Sequence, residues 1–120
     1  MQGKARKRER MEISAFKETA PVAAEFLKVL ANESRLGILC NLLDGEKSVN
    51  ELEELLNMRQ STLSQHLSVL RRERLVTTRR SAQFIYYSLA SVEAEIIMNA
   101  LYSIYCGKDE NGRPVAKVRD

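Results

Sequence analysis

Residues Gln60–Leu89 read "QSTLSQHLSVLRRERLVTTRRSAQFIYYSL", and the fold turns on how this stretch is read. Its first half has a helical period. Leu63, Leu67 and Leu70 fall at i, i+4 and i+7, the spacing of one buried stripe. At 100° per residue, Ser61, Gln65, Ser68 and Arg72 point the opposite way. The predicted helix spans Gln60–Glu73. From Leu75 the pattern changes. "LVTTRR" and "QFIYYSL" are rich in β-branched and aromatic residues, with "SA" between them, and together predict a β-hairpin. Its turn lacks the Asn-Gly or Asp-Gly of a strong hairpin signal.

The polar face of the helix carries unusual chemistry. A solvated helix usually shows Glu and Lys, and this one shows Ser and Gln. Short hydrogen-bonding side chains allow close approach to base edges, and Gln can pair bidentately with adenine. Gln60, Ser61, Thr62, Ser64 and Gln65 occupy the first turns, the part of a recognition helix that reaches into the groove. Ser68 follows on the same face. Arg59 ahead of the helix, and Arg71, Arg72 and Arg74 at its end, suit phosphates, which position a protein without reading sequence. Arg79 and Arg80 are expected at the hairpin tip with Ser81 and Gln83, where a basic ribbon can touch the adjacent backbone or minor groove. A polar helix in an ordinary bundle would account for the helix alone. Helix and ribbon together favour a mainly α fold with a β-hairpin wing, a winged helix-turn-helix binding double-stranded DNA.

Outward from this core, "SVNELEELL" pairs Ser48 with Glu51 three residues on, a capping-box pattern. Val49, Leu52 and either Leu55 or Leu56 give that helix an apolar face. A helix over Glu33–Leu43 places Leu36, Leu39, Cys40 and Leu43 on one stripe, with Gly45 as its stop. "APVAAEFLKVL" predicts a helix from Ala20 to Leu30, with Pro21 in its first turn. A last helix, from Ser91 to Cys106, carries Ile97, Leu101 and Ile104 as its stripe and stops at Gly107. Residues 1–11 form a basic arm expected to be mobile, residues 12–106 the winged-helix domain, and residues 107–120 a polar tail.

The bulk properties agree. A chain of 120 residues, 44% hydrophobic, suits one domain with a small core. No run of eighteen apolar residues suggests a membrane span, and no apolar stretch follows the basic N-terminus as in a secretory signal. The expected compartment is the cytoplasm, where thiols stay reduced. Net charge is +3, unevenly spread. Arg59–Arg80 holds six arginines and one acid, whereas Glu33–Asn57 holds six acids and two bases. A basic block with a basic arm points to a polyanion partner.

The segment from "LKVLANESRLGIL" through "STLSQHLSVLRRERLV" to "YYSL" resembles the ArsR family of bacterial winged-helix repressors, over about Ala20 to Cys106. The resemblance implies a homodimer, held largely by the first and last helices, that binds a pseudo-palindromic operator until an inducer releases it. Two departures stand out. The wing turn lacks the glycine of many relatives, and Arg59 replaces the Ser or Thr often found at the recognition-helix start.

Many ArsR proteins sense metals. The positions matching one metal motif are Ser48 and Asn50, neither a thiolate. The last helix has no His or Asp, and Glu93 with Glu95 makes a poor zinc site. The single histidine, His66, matches the family's "SxHL" and reads as structural or DNA-proximal. No metal and no cofactor is expected. A thiol enzyme would need an exposed acidic thiol with a base nearby, and the only histidine sits in the recognition helix, so no enzymatic activity is expected.

Two cysteines, Cys40 and Cys106, lie 66 positions apart. Cys40 sits on a buried stripe, which packing alone would explain. Cys106 points away from the apolar stripe of its helix. Both positions match those of the BigR/SqrR persulfide-responsive subgroup. That match implies a redox switch in which reactive sulfur species or oxidants link the two thiols, through a disulfide or a polysulfide chain, and DNA is released. The alternative is a regulator without an inducer, its cysteines structural.

Overall fold

The computed structural model describes residues 2–108 and 110–112, with side-chain surroundings from Ile13 onward. The chain divides into two compact units, Met1–Ala31 and Asn32–Asp120. The first is a single helix, α1 (Gln2–Leu30). It begins far upstream of the expected Ala20, so the basic stretch read as an arm forms its first turns. Pro21 is interior to this helix rather than at its start. The stretch before it is rich in strong helix formers, which carry the helix upstream of the proline.

The second unit runs α2 (Glu33–Asn41), β1 (Lys47–Ser48), α3 (Val49–Leu56), α4 (Gln60–Arg72), β2 (Val76–Ser81), β3 (Phe84–Leu89) and α5 (Val92–Tyr105). Caps set most of the boundaries. Asn32 accepts a hydrogen bond from the Arg35 N–H and starts α2. Ser48 accepts from the Glu51 N–H while Glu51 accepts from the Ser48 N–H, so the expected capping box is complete. Ser91 starts α5 by accepting from the Ala94 N–H. Arg59 offers α4 no side-chain cap, because a guanidinium has no acceptor.

The core is aliphatic. Ile38 and Leu39 of α2, Leu52 of α3, and Leu63, Leu67 and Leu70 of α4 are fully buried. Leu63, Leu67 and Leu70 form the expected α4 stripe. On α3 Leu56 is half-buried and Leu55 exposed, which settles the open choice between them. Gly37 lets α2 and α3 come close, since a Cβ there would sit 3.1 Å from Leu56 Cδ2. Two stripes differ from expectation. Around α2 the deepest residues are Ile38, Leu39 and Leu42, while Leu36, Cys40 and Leu43 are half-buried. On α5 the buried residues are Ala94 and Met98, and Ile104 is exposed.

The sheet is antiparallel with order β1-β3-β2. β2 and β3 form the wing, in register from Val76↔Leu89 to Ser81↔Phe84. The turn is therefore Ala82–Gln83, one residue later than the expected Ser81–Ala82. Ala82 adopts φ 56° there, a left-handed conformation that favours glycine. β1 is a strand absent from the sequence reading, paired to β3 at Lys47↔Tyr87 and Ser48↔Tyr86. Of the tail, residues 113–120 lie outside the described residues.

Candidate DNA interface and thiol pair

The polar face of α4 is open as its spacing requires. Gln60, Ser61, Thr62, Ser64, Gln65 and Ser68 are all exposed, as are Arg59, Arg71, Arg72 and Arg74. The leucines on the opposite side are buried in the core, so the polar face is presented by a rigid support. His66 is half-buried. Among the described residues, no group of three or more His, Cys, Asp or Glu side chains is arranged to hold a metal.

A cleft of about 320 Å³ separates α4 from the wing. Gln60, Ser64 and Ser68 line one wall and Gln83, Ile85 and Tyr87 the other, with Asn50 of α3 beside them. Four residues picked out from sequence, Gln60, Ser64, Ser68 and Gln83, are thus brought to one cleft. Asn50 and Tyr87 also line it and were not singled out for DNA contact from the sequence. Tyr87 could have been found from the two-residue period of β3, which puts it on the face of Ile85.

The two wing arginines do not share a fate. Arg80 is exposed near the hairpin end. Arg79 is engaged within the protein. It donates to Glu46 from Nε at 3.2 Å and from Nη2 at 2.5 Å, and its guanidinium lies 4.7 Å from the Tyr86 ring centroid. The hydrogen bond from Arg79 holds the Glu46 carboxyl below its usual range, against desolvation. Arg59 adjoins Glu53 and Glu54 in a shallow depression at the end of α3.

A second cleft, of about 280 Å³, lies between α2 and α5. Cys40 and Cys106 both line it, among Leu36, Met98, Leu101 and Tyr105. Both are free thiols, Cys40 half-buried and Cys106 exposed. Cys106 is the C-cap of α5, its N–H donating to Tyr102 O at 2.7 Å. Gly107 follows with N–H bonds to Tyr102 O and Ser103 O, and any Cβ there would collide with the Ser103 carbonyl. Burial pushes the Cys40 thiol up, and the charges of Cys106 and Asp44 add to the shift. Asp44 itself is held low by its hydrogen bond from Lys47 Nζ at 2.6 Å.

A leucine-backed helix with an open polar face, a preceding capped helix and a hairpin wing together define a winged helix-turn-helix DNA-binding regulator. The family model for "Bacterial regulatory protein, arsR family" matches residues 32–78. The chain is 46% identical over 96 residues to the transcriptional activator HlyU of Vibrio cholerae, covering 80% of this chain and 89% of that one. It is also 46% identical over 99 residues to the biofilm growth-associated repressor of Agrobacterium fabrum, covering 82% and 85%. The structure of reduced HlyU from Vibrio cholerae superposes with a TM-score of 0.74 at 47% identity, over 77% of this chain and 97% of that one. The protein belongs to the arsR family of bacterial regulatory proteins. It is a DNA-binding transcriptional regulator and not an enzyme. No described helix is long and apolar enough to cross a membrane.

Proposed function

We propose that the protein is a cytoplasmic homodimeric repressor whose reduced form grips operator DNA and whose Cys40–Cys106 pair releases it when bridged by reactive sulfur or an oxidant. The observation that carries this reading is that two thiols far apart in sequence line a single apolar cleft. The likeness to a biofilm growth-associated repressor and to a regulator whose reduced form has been solved supports it.

Atoms and electrons balance in the bridging step. Exposed Cys106 takes the outer sulfur of a persulfide RSSH, giving Cys106–SSH and RSH. Cys40 attacks the inner sulfur, forms the Cys40–Cys106 disulfide and expels hydrogen sulfide. Each further RSSH consumed leaves one more sulfur in the bridge and releases one more RSH. Both protein thiols are oxidised and the sulfane sulfur is reduced. Shortening the gap between α2 and α5 strains α2, whose neighbours α3 and α4 form the reading unit.

The dimer part of the reading draws on apolar surface. On α1, Ile13, Phe16 and Leu27 are exposed and fall on one side. On α5, Val92 and Ile96 are exposed on the side away from Ala94 and Met98, and Ile104 is exposed on a flank. Two copies would present two α4 helices to half-sites spaced by about 34 Å, one turn of duplex.

The test is operator release after treatment with a persulfide donor. Wild type is expected to dissociate, while Cys40→Ser and Cys106→Ser stay bound. Equal release by Cys40→Ser would overturn the switch. The second reading, an uninduced regulator whose cysteines only pack, is favoured by the raised Cys40 thiol. It predicts identical operator affinity for reduced and treated wild type.

A further inference from the structure

Arg79 and Arg80 are neighbours in β2, and neighbouring residues of a strand point to opposite faces of the sheet. Arg80 pairs with Ile85 across the hairpin. Ile85 lines the cleft shared with Gln60 and Ser64. Directly opposed residues share a face, so Arg80 belongs to the face of the recognition helix. Arg79 pairs with Tyr86 and belongs to the other face, where it meets Glu46.

Glu46 lies in the short connection between α2 and β1, which is itself held in shape. Lys47 Nζ donates to Asp44 Oδ1 at 2.6 Å and to Gly45 O at 3.4 Å. β1 then joins β3 at only two positions, of which Ser48↔Tyr86 is one. Tyr86 is thus paired with β1 on one side and with Arg79 on the other, and Arg79 closes the loop back to Glu46. Among the described residues, no third strand pairs with the hairpin beyond Tyr86. A two-stranded ribbon is marginal in water, so its position depends on what fastens its base. Isolated surface ion pairs contribute little. Here two forked hydrogen bonds and a ring contact converge on one arginine whose backbone the sheet already orders.

We propose that Glu46 and Arg79 form a clasp that sets the wing against the α2–β1 connection, leaving Arg80 as the phosphate ligand of the wing. Arg79 is then a positioning residue that acts on DNA through the placement of the hairpin. The clasp rests on the DNA-binding function of the family and is independent of any thiol switch.

The test is a fluorescence-anisotropy titration of reduced full-length protein. The probe is a duplex selected by the wild-type protein from random sequence, and the salt concentration is varied. E46Q is expected to weaken binding by about threefold or more, although it removes a negative charge and simple electrostatics would tighten binding. R79Q and R79K weaken binding to a similar extent, and E46Q/R79Q is no worse than either single variant. The slope of log K against log salt stays at the wild-type value for all of these. R80Q lowers that slope by about 0.9 for every phosphate it no longer neutralises. The clasp is overturned if E46Q tightens binding or leaves it unchanged. It is equally overturned if R79Q lowers the slope while R79K keeps wild-type affinity, the pattern of a phosphate ligand.

Discussion

Replacing Arg72 by glutamine should flatten the salt dependence of operator binding and leave base discrimination intact. Arg72 is exposed in the last turn of α4, on the side of Ser61, Gln65 and Ser68 but beyond the first turns, to which we assign base reading as a proposal. Each neutralised phosphate contributes about 0.9 to the slope of log K against log salt on duplex DNA. Freeing one phosphate per subunit of a dimer removes about 1.8 from that slope. Between roughly 50 mM and 200 mM salt, the affinity gap between wild type and variant should therefore narrow by about twelvefold. The contrast is Gln65→Ala. It should leave the slope alone and reduce the preference for the selected operator over random duplex by about 1–3 kcal/mol for each bidentate base pairing removed. Anisotropy titrations across a salt series measure both quantities. A wild-type slope in Arg72→Gln, or a flattened slope in Gln65→Ala, would refute the division of α4 into a reading end and a phosphate end.

Three further outcomes are expected. Leu63 is fully buried at the base of the reading helix, so Leu63→Ala should lower unfolding stability by about 2–5 kcal/mol, measured in urea; a loss below about 1 kcal/mol would contradict the packing described. The Cys40 thiol is raised mainly by burial. Its neutral form is favoured in the fold, and the stability this contributes is complete below the unfolded thiol pKa and lost as pH rises through the folded one. Iodoacetamide should therefore label Cys40 at higher pH than a free cysteine, and alkaline pH should destabilise wild type more than Cys40→Ala. Ile96 is exposed on α5, and Ile96→Glu should shift the protein to monomers in sedimentation while far-UV circular dichroism stays unchanged; an intact dimer would remove α5 from the interface.

The parts of the fold legible in the sequence were those with a local physical cause. The α4 stripe, the Ser48–Glu51 box and the β-rich run after Leu75 each follow from spacing within a dozen residues. Errors arose where local signals were ambiguous or overruled. α5 is apolar nearly all round, so its period could not choose between the Ile97–Ile104 side and the Ala94–Met98 side; packing against α2 chose the latter. The wing turn falls on Ala82, which takes a left-handed conformation against its own preference because the strand register demands it. β1 spans two residues, too short for any alternation to show. Pro21 reads as a helix start and is instead interior to a longer helix.

The interface was partly legible for the same reason. The residues of the α4 face could be read from helical geometry, and the structure leaves them open. Arg79 could not be separated from Arg80 by composition, because its partner Glu46 lies 33 positions upstream. The two thiols could be flagged as residues, but their common cleft depends on how α2 packs against α5, which no local pattern encodes.

In the proposed switch, the polar face of α4 holds DNA while the thiols are separate and lets go when they are tied. The most direct measurement is the operator dissociation constant of one preparation taken through a full cycle. It is titrated as the reduced protein, after persulfide bridging verified by intact mass, and again after reduction with dithiothreitol. A working switch gives strong binding, weak binding and recovered strong binding, in step with the gain and loss of the bridge. Unchanged affinity in a fully bridged sample would contradict it.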